Sequence, residues 1–177
     1  MYPKIYNPPI YDHPGRWGRH PSEEGFTCRN CRAYVYTQPL ISGVQNRNHC
    51  PYCLWSRHVD LYQAGDRLSA CKASMEPIGL TMKQRQTKYG YVSNGELMLI
   101  HRCSNCDRIS INRIAADDLS VRLMEIFHAS VGMDMNTRQR LQTSGIRMLQ
   151  GTEDKLVSHH LYGINEESKE PIHGKKL

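Results

Sequence analysis

Large apolar side chains are scarce in this sequence. Of 177 residues only two are Phe, and Leu, Ile, Val and Phe together number 35, just under 20%. A chain at that edge struggles to bury enough apolar surface to offset the entropy of ordering. A large hydrophobic core is therefore not expected, and part of the folding energy has to come from elsewhere. No apolar run approaches 18 residues, which excludes a spanning helix. The opening MYPKIYNPPIYDHPGRW has no charged segment leading into an apolar one, so a secretory signal is not expected and a cytoplasmic location is. No Gly-rich phosphate loop, Ser/His/Asp arrangement or amphipathic membrane helix stands out, and no membrane partner is expected. What the chain does have is seven Cys, nine His and a net charge of +6. The charge favours a polyanionic partner.

The chain divides by composition. Residues 1–25 hold five Pro and three Tyr with balanced charge, and read as an extended arm. Residues 26–114 contain every Cys, and their twelve Lys/Arg face five Asp/Glu. Within them Ser93-Asn94-Gly95 separates the strand-like runs Lys88–Val92 and Leu97–Cys103. Asn-Gly supplies the positive φ angles of a tight hairpin turn. Arg108–Ile114 alternates apolar and polar, so short antiparallel strands with little helix are expected up to 118. Beyond them, Asp117-Asp118 is placed to cap a helix with apolar positions Leu119, Leu123, Ile126 and Phe127. A second helix is predicted over 137–150, carrying Leu141, Ile146 and Leu149, and a third over 153–162. Residues 119–162 thus read as a helical extension and 163–177 as a polar tail. The predicted class is α+β, an antiparallel module followed by C-terminal helices.

The cysteines carry the chemistry. Three CxxC pairs occur, Cys28/Cys31, Cys50/Cys53 and Cys103/Cys106, with Cys71 alone. Two residues between thiolates let both sulfurs of a tight turn, a knuckle, face one metal ion. The first two pairs, separated by 18 residues, fit the zinc spacing of paired knuckles. A secreted disulfide framework is disfavoured by the odd Cys count. Redox dithiols are disfavoured because one pair suffices for thiol exchange. The third pair needs two more ligands. Cys71 is one, and the fourth stays open among His58, His49 and His101, with His58 favoured because it follows the second knuckle by about one turn. A swapped arrangement joining Cys28/Cys31 with Cys103/Cys106 also stays open. Two structural zinc ions are expected, since closed thiolate sites leave no open position for water. Each can contribute ~10–16 kcal/mol of apparent binding energy, which would offset the thin core.

The string RNHCPYCLWSRHVD from Arg47 to Asp60 resembles the RNHCP-domain family of bacterial proteins. FTCRNC at 26–31, GDR at 65–67, Cys71 followed by MEPIG at 75–79, IHRCSNC at 100–106 and NRIAADD at 112–118 match in the same order. The resemblance covers about 26–118 and implies a zinc-ribbon-like module, without an activity attached. It singles out the seven Cys, His49, His58, Asp60, His101, Arg102, Asn112, Arg113, Asp117 and Asp118. Members usually carry Gly just after the knuckles, whereas Arg32, Lys72-Ala73 and Asp107 stand there in this chain. This predicts either looser turns or an altered site around Cys71.

Three functions fit these residues to different degrees. The first is binding of nucleic acid, RNA or the ribosome in particular, through Arg29, Arg32, Arg47, Arg57, Lys72, Arg102, Arg108 and Arg113. The interleaved Tyr34, Tyr36, Tyr52, Trp55, Tyr89 and Tyr91 offer faces for unpaired bases. The second is a metal-dependent nuclease of the His-Asn-His type built on His58-Val59-Asp60. That match lacks the Asp-His order and a downstream partner, and Asp60 is expected instead to hydrogen-bond the other ring nitrogen of a metal-bound His58. The third is an adaptor whose C-terminal helices contact a protein partner on a large assembly.

Overall fold

A computed structural model of the chain describes residues 25–84 and 95–163. Two antiparallel sheets organise them. The smaller is a hairpin of β1 (Gly25–Thr27) and β2 (Tyr34–Tyr36), followed by a single helical turn, α1 (Pro39–Ser42). The larger runs in the order β3-β4-β5-β6, from β3 (Ser56–Arg57), β4 (Ser74–Lys83), β5 (Glu96–Cys103) and β6 (Ile109–Arg113). Three helices follow, α2 (Ser120–Ser130), α3 (Met135–Thr143) and α4 (Asp154–Tyr162).

β5 lies in the interior of the sheet and is buried along nearly its whole length, because both faces are covered. Successive strand residues point to opposite faces, and the two faces meet different cores. Leu97 and Leu99 join Leu54, Leu80, Leu123, Phe127, Leu149 and Val157. Ile100 instead packs with Leu141 and Met148. Each fully buried Leu or Phe contributes about 1.5–3 kcal/mol, so the helices supply much of the modest core. Residues 119–162, read from the sequence as an extension, therefore share one core with 26–118. No helix among the described residues is long and apolar enough to cross a membrane.

The strands predicted at Leu97–Cys103 and Arg108–Ile114 are β5 and β6, paired antiparallel. The run Lys88–Val92 lies outside the described residues. β4 is an unpredicted strand, and it contains Pro77 and Gly79 on either side of a register shift. At Gly79 a Cβ would stand 2.9 Å from Met148 Sδ, so this position is glycine because another segment crosses closely. That segment also ends the helix predicted to run to 150. α3 stops at Thr143, Gly145 turns with φ +71°, and Met148 forms a β-bridge with Thr81. Leu149 N–H then donates to Leu80 O at 2.9 Å. Asp134, not an expected cap, caps α3 by accepting from Thr137 N–H at 2.9 Å. The expected caps Asp117 and Asp118 do not cap α2, which begins on Leu119 without a side-chain cap. Their carboxylates are engaged elsewhere.

Candidate metal centres

Two clusters bring ligand atoms together within 4.8 Å: Cys28, Cys31, Cys50 and Cys53 in one, and His58, Cys71, Cys103 and Cys106 in the other. In the first, Cys28 Sγ lies 3.5 Å from Cys53 Sγ and Cys31 Sγ 3.5 Å from Cys50 Sγ. In the second, Cys71 and Cys103 sulfurs are 3.6 Å apart and His58 Nδ1 is 3.3 Å from Cys106 Sγ. Four sulfurs around a tetrahedral zinc at ~2.3 Å would sit about 3.8 Å from one another. All seven cysteines are free thiols. Both donor sets fit a tetrahedral divalent ion, with zinc as the natural match. The swapped pairing is not the one formed, and His49 and His101 belong to neither cluster.

The backbone explains how the ligands are aimed. In the first knuckle Arg32 N–H donates to Cys28 O at 3.0 Å, and Cys28 N–H to Ala33 O at 2.8 Å. The second repeats this with Leu54 to Cys50 at 2.9 Å and Cys50 to Trp55 at 3.0 Å. The third repeats it with Asp107 to Cys103 at 3.1 Å and Cys103 to Arg108 at 2.9 Å. Lys72 N–H donates to His58 O at 3.2 Å and His58 N–H to Ala73 O at 2.8 Å, the same pair of bonds. His58 and Cys71 thus occupy the two ligand positions of a fourth knuckle, and residues 59–70 are an excursion inserted between them. The residue after each knuckle takes a left-handed φ: Arg32 66°, Leu54 61°, Lys72 52° and Asp107 57°. These turns are as tight as a glycine would make them, and non-glycine residues occupy them at a cost of about 1–2 kcal/mol each. The site around Cys71 keeps the knuckle geometry despite its basic substitution.

The thiols differ in their surroundings. Burial pushes the Cys50, Cys53 and Cys106 thiols up. The Cys31 thiol lies below its usual value: burial raises it, but the Ala33 backbone and the neighbouring thiols together outweigh that and favour the thiolate. The Ala73 backbone and then the Asn105 amide hold Cys71 down to about 6. His58 Nε2 is buried with no hydrogen-bond partner among the described residues. The expected partner, Asp60, is otherwise engaged, accepting from Gly65 N–H at 3.0 Å and Arg67 N–H at 3.1 Å. The His–Asp pair on which the nuclease reading rested is accordingly not formed.

Several sequence-nominated residues build the frame around these sites. Arg47 is a correction to the nucleic-acid-facing set, because its side chain is fully buried. It forks onto both Asp117 oxygens at 2.6 and 2.7 Å and reaches Asp118 Oδ1 at 3.0 Å. Asp118 Oδ2 meets His49 Nε2 at 2.8 Å and accepts from Ala115 N–H at 2.8 Å. This network ties the approach to the second knuckle to the segment before α2. His101 is fully buried, and its Nε2–H donates to Leu54 O at 2.7 Å while Asn112 donates to its Nδ1 at 2.8 Å. Burial and then His49 push it down to about 3, so it is a neutral strut between β5 and the second knuckle. None of these roles is expected from the sequence. The available signal was an Arg-x-His and an Asp-Asp, since such groups enter an interior only in each other's company.

The remaining basic residues separate into two sets. Arg102 pairs with Glu76 across β4 and β5 at 3.4 Å, and Arg113 with Glu96 at 2.9 Å. Arg29 Nη1 and Arg57 Nε both donate to Lys72 O, at 3.4 and 3.1 Å. Lys72 Nζ donates to Arg67 O at 2.9 Å, and Arg108 Nη2 to Leu61 O. Arg32 is exposed beside the first knuckle.

One set of four cysteines and one of three cysteines and a histidine, each held by paired knuckles on antiparallel strands, define a metal-binding β module with helices packed on its sheet. The model of the RNHCP domain family matches residues 23–124, and the chain belongs to that family. No curated protein and no solved structure matches the chain. The matched region ends within α2, while Leu149 and Val157 beyond it complete the core.

Proposed function

We propose that the protein is a zinc-stabilised, non-catalytic nucleic-acid-binding module acting on RNA or a ribosome, with one structural zinc in each cluster. The observation that carries this reading is the convergence of Arg29 and Arg57 on the carbonyl of Lys72. Arg29 belongs to the first metal site, Lys72 to the second, and Arg57 to the strand between them. Among the described residues none of the three has an ion-pair partner. No carboxylate among the described residues pairs with these cations, and a cationic surface of this kind attracts an anionic ligand. Tyr34 and Tyr52, about half exposed, add aromatic surface near the first site's strands and knuckle.

The metals act here as folding elements. They fix the knuckles, and the knuckles fix where Arg29 and Lys72 meet. The test is a salt-titrated binding assay with RNA oligonucleotides and the zinc-loaded protein. Affinity should fall as salt rises, with a log–log slope of about 0.7 for each neutralised phosphate on a single strand. Replacing Arg57 by Gln should weaken binding and shallow the slope. Absence of binding at low salt, or binding indifferent to salt, overturns the proposal.

A further inference from the structure

The excursion 59–70, opened within the fourth knuckle, has no part in holding a metal. It is nonetheless firmly built. Asp66 accepts from the N–H groups of Leu61, Tyr62, Gln63 and Leu68 at 2.9, 2.8, 3.1 and 3.0 Å. Asp60 holds Gly65 and Arg67, and Ser69 N–H donates to Val59 O at 2.9 Å. Both carboxylates of the excursion are thus directed at its own backbone, while Tyr62 is presented to solvent with 81% of its surface exposed. Leu68, 63% exposed, is displayed on the same excursion. Around it stand Arg57 and Lys72 at its base, Arg108 on the Leu61 carbonyl, and Arg67 within it.

We infer that the excursion 59–70 recognises single-stranded RNA, with the Tyr62 ring stacking on an unpaired base while Arg57, Lys72 and Arg108 hold the flanking phosphates. This rests on the nucleic-acid reading above and adds the substrate class and the stacking residue. An exposed ring on a hydrogen-bonded frame loses little conformational freedom on binding, because its backbone is already fixed. Aromatic stacking is tolerant of base identity but requires a base face that is free, which a duplex does not offer. Cations beside such a ring are the usual complement of a single-strand site.

The experiment measures fluorescence anisotropy of a labelled single-stranded RNA and of the duplex of the same sequence against the zinc-loaded full chain. The variants are Tyr62→Ala, Tyr62→Phe and Arg57→Gln, with zinc content and melting temperature recorded as controls for folding. The expected result is tighter binding of the single strand. Tyr62→Ala should weaken it roughly tenfold, leaving duplex affinity and the salt slope unchanged, and Tyr62→Phe should restore it. If Tyr62→Ala binds the single strand as the parent does while Arg57→Gln is weakened, the stacking site is overturned and the nucleic-acid reading survives. If neither RNA binds, both fall together.

Discussion

Replacing Asp118 by Ala should be among the most destabilising single changes available in this chain. The carboxylate is fully buried, as is the Arg47 guanidinium it faces. One oxygen accepts from Arg47, and the other meets His49 Nε2 and the Ala115 N–H. Alanine removes all three bonds at once. Arg47 keeps the His49 carbonyl, to which its Nε donates at 3.0 Å, but its one remaining carboxylate is Asp117, whose side chain is 32% exposed, and the buried Ala115 N–H is left unmet. Breaking a buried ion pair by removing one partner costs about 3–5 kcal/mol, and an unsatisfied buried donor about 1–3 kcal/mol. The terms overlap, so a loss of about 4 kcal/mol is expected, a large part of the ~5–15 kcal/mol a domain possesses. Asp117→Ala should cost less than half of that, because water reaches its carboxylate. Urea unfolding at a fixed free zinc concentration is the right assay, since bound metal adds to stability by mass action. The midpoint should fall sharply with the slope preserved. An Asp118→Ala protein within about 1 kcal/mol of the parent, the smallest cost of one unmet buried donor, would show that the Arg47–Asp118–His49 network does not hold the knuckle to the helices.

Elemental analysis should find two divalent ions per chain, falling to one on His58→Ala with the four-cysteine site still loaded; an unchanged count would remove His58 from the ligand set. Removal of both ions by a strong chelator should abolish the cooperative melt seen by circular dichroism, because main-chain bonds close each knuckle but the ions tie the knuckles together in pairs. Phe127→Ala should cost about 3–5 kcal/mol in chemical denaturation. A smaller loss would mean that α2 is not integral to the core. Arg32→Gly should raise stability by about 0.5–1 kcal/mol, the relief of its left-handed φ less the added freedom of the unfolded chain. A loss of stability there would contradict the strained-turn account.

Much of the metal chemistry is legible in the sequence because CxxC spacing encodes a local geometry, and a local geometry survives whatever the rest of the chain does. The fourth ligand is less legible. His58 and Cys71 are brought to adjacent positions by backbone bonds between 58 and 72–73 that continue the β3–β4 pairing, and nothing in the intervening twelve residues announces that closure. β4 escapes notice because MEPIGLTMK neither alternates cleanly nor avoids Pro and Gly, and its irregularity is where another segment crosses. Asp117 and Asp118 illustrate tertiary context overriding local preference. Two acidic residues before an apolar helix are good caps, yet a buried arginine 70 residues earlier claims both. The same arginine reads as a surface contact in the sequence, since charge alone does not reveal which cation has an internal partner. The helix predicted to 150 fails at Gly145, where the chain leaves α3 to run beside β4.

The opened fourth knuckle behaves as a clasp. Its jaws, His58 and Lys72-Ala73, close on each other by main-chain bonds that do not depend on what lies between them. Lengthening the enclosed segment twofold would add only ~0.6 kcal/mol of closure entropy, so the ligand set and the scaffold are nearly indifferent to its size. Extra residues inserted between Val59 and Ser69 would therefore leave the ligand positions of His58 and Cys71 in place, so the excursion can change in length without renegotiating the fold.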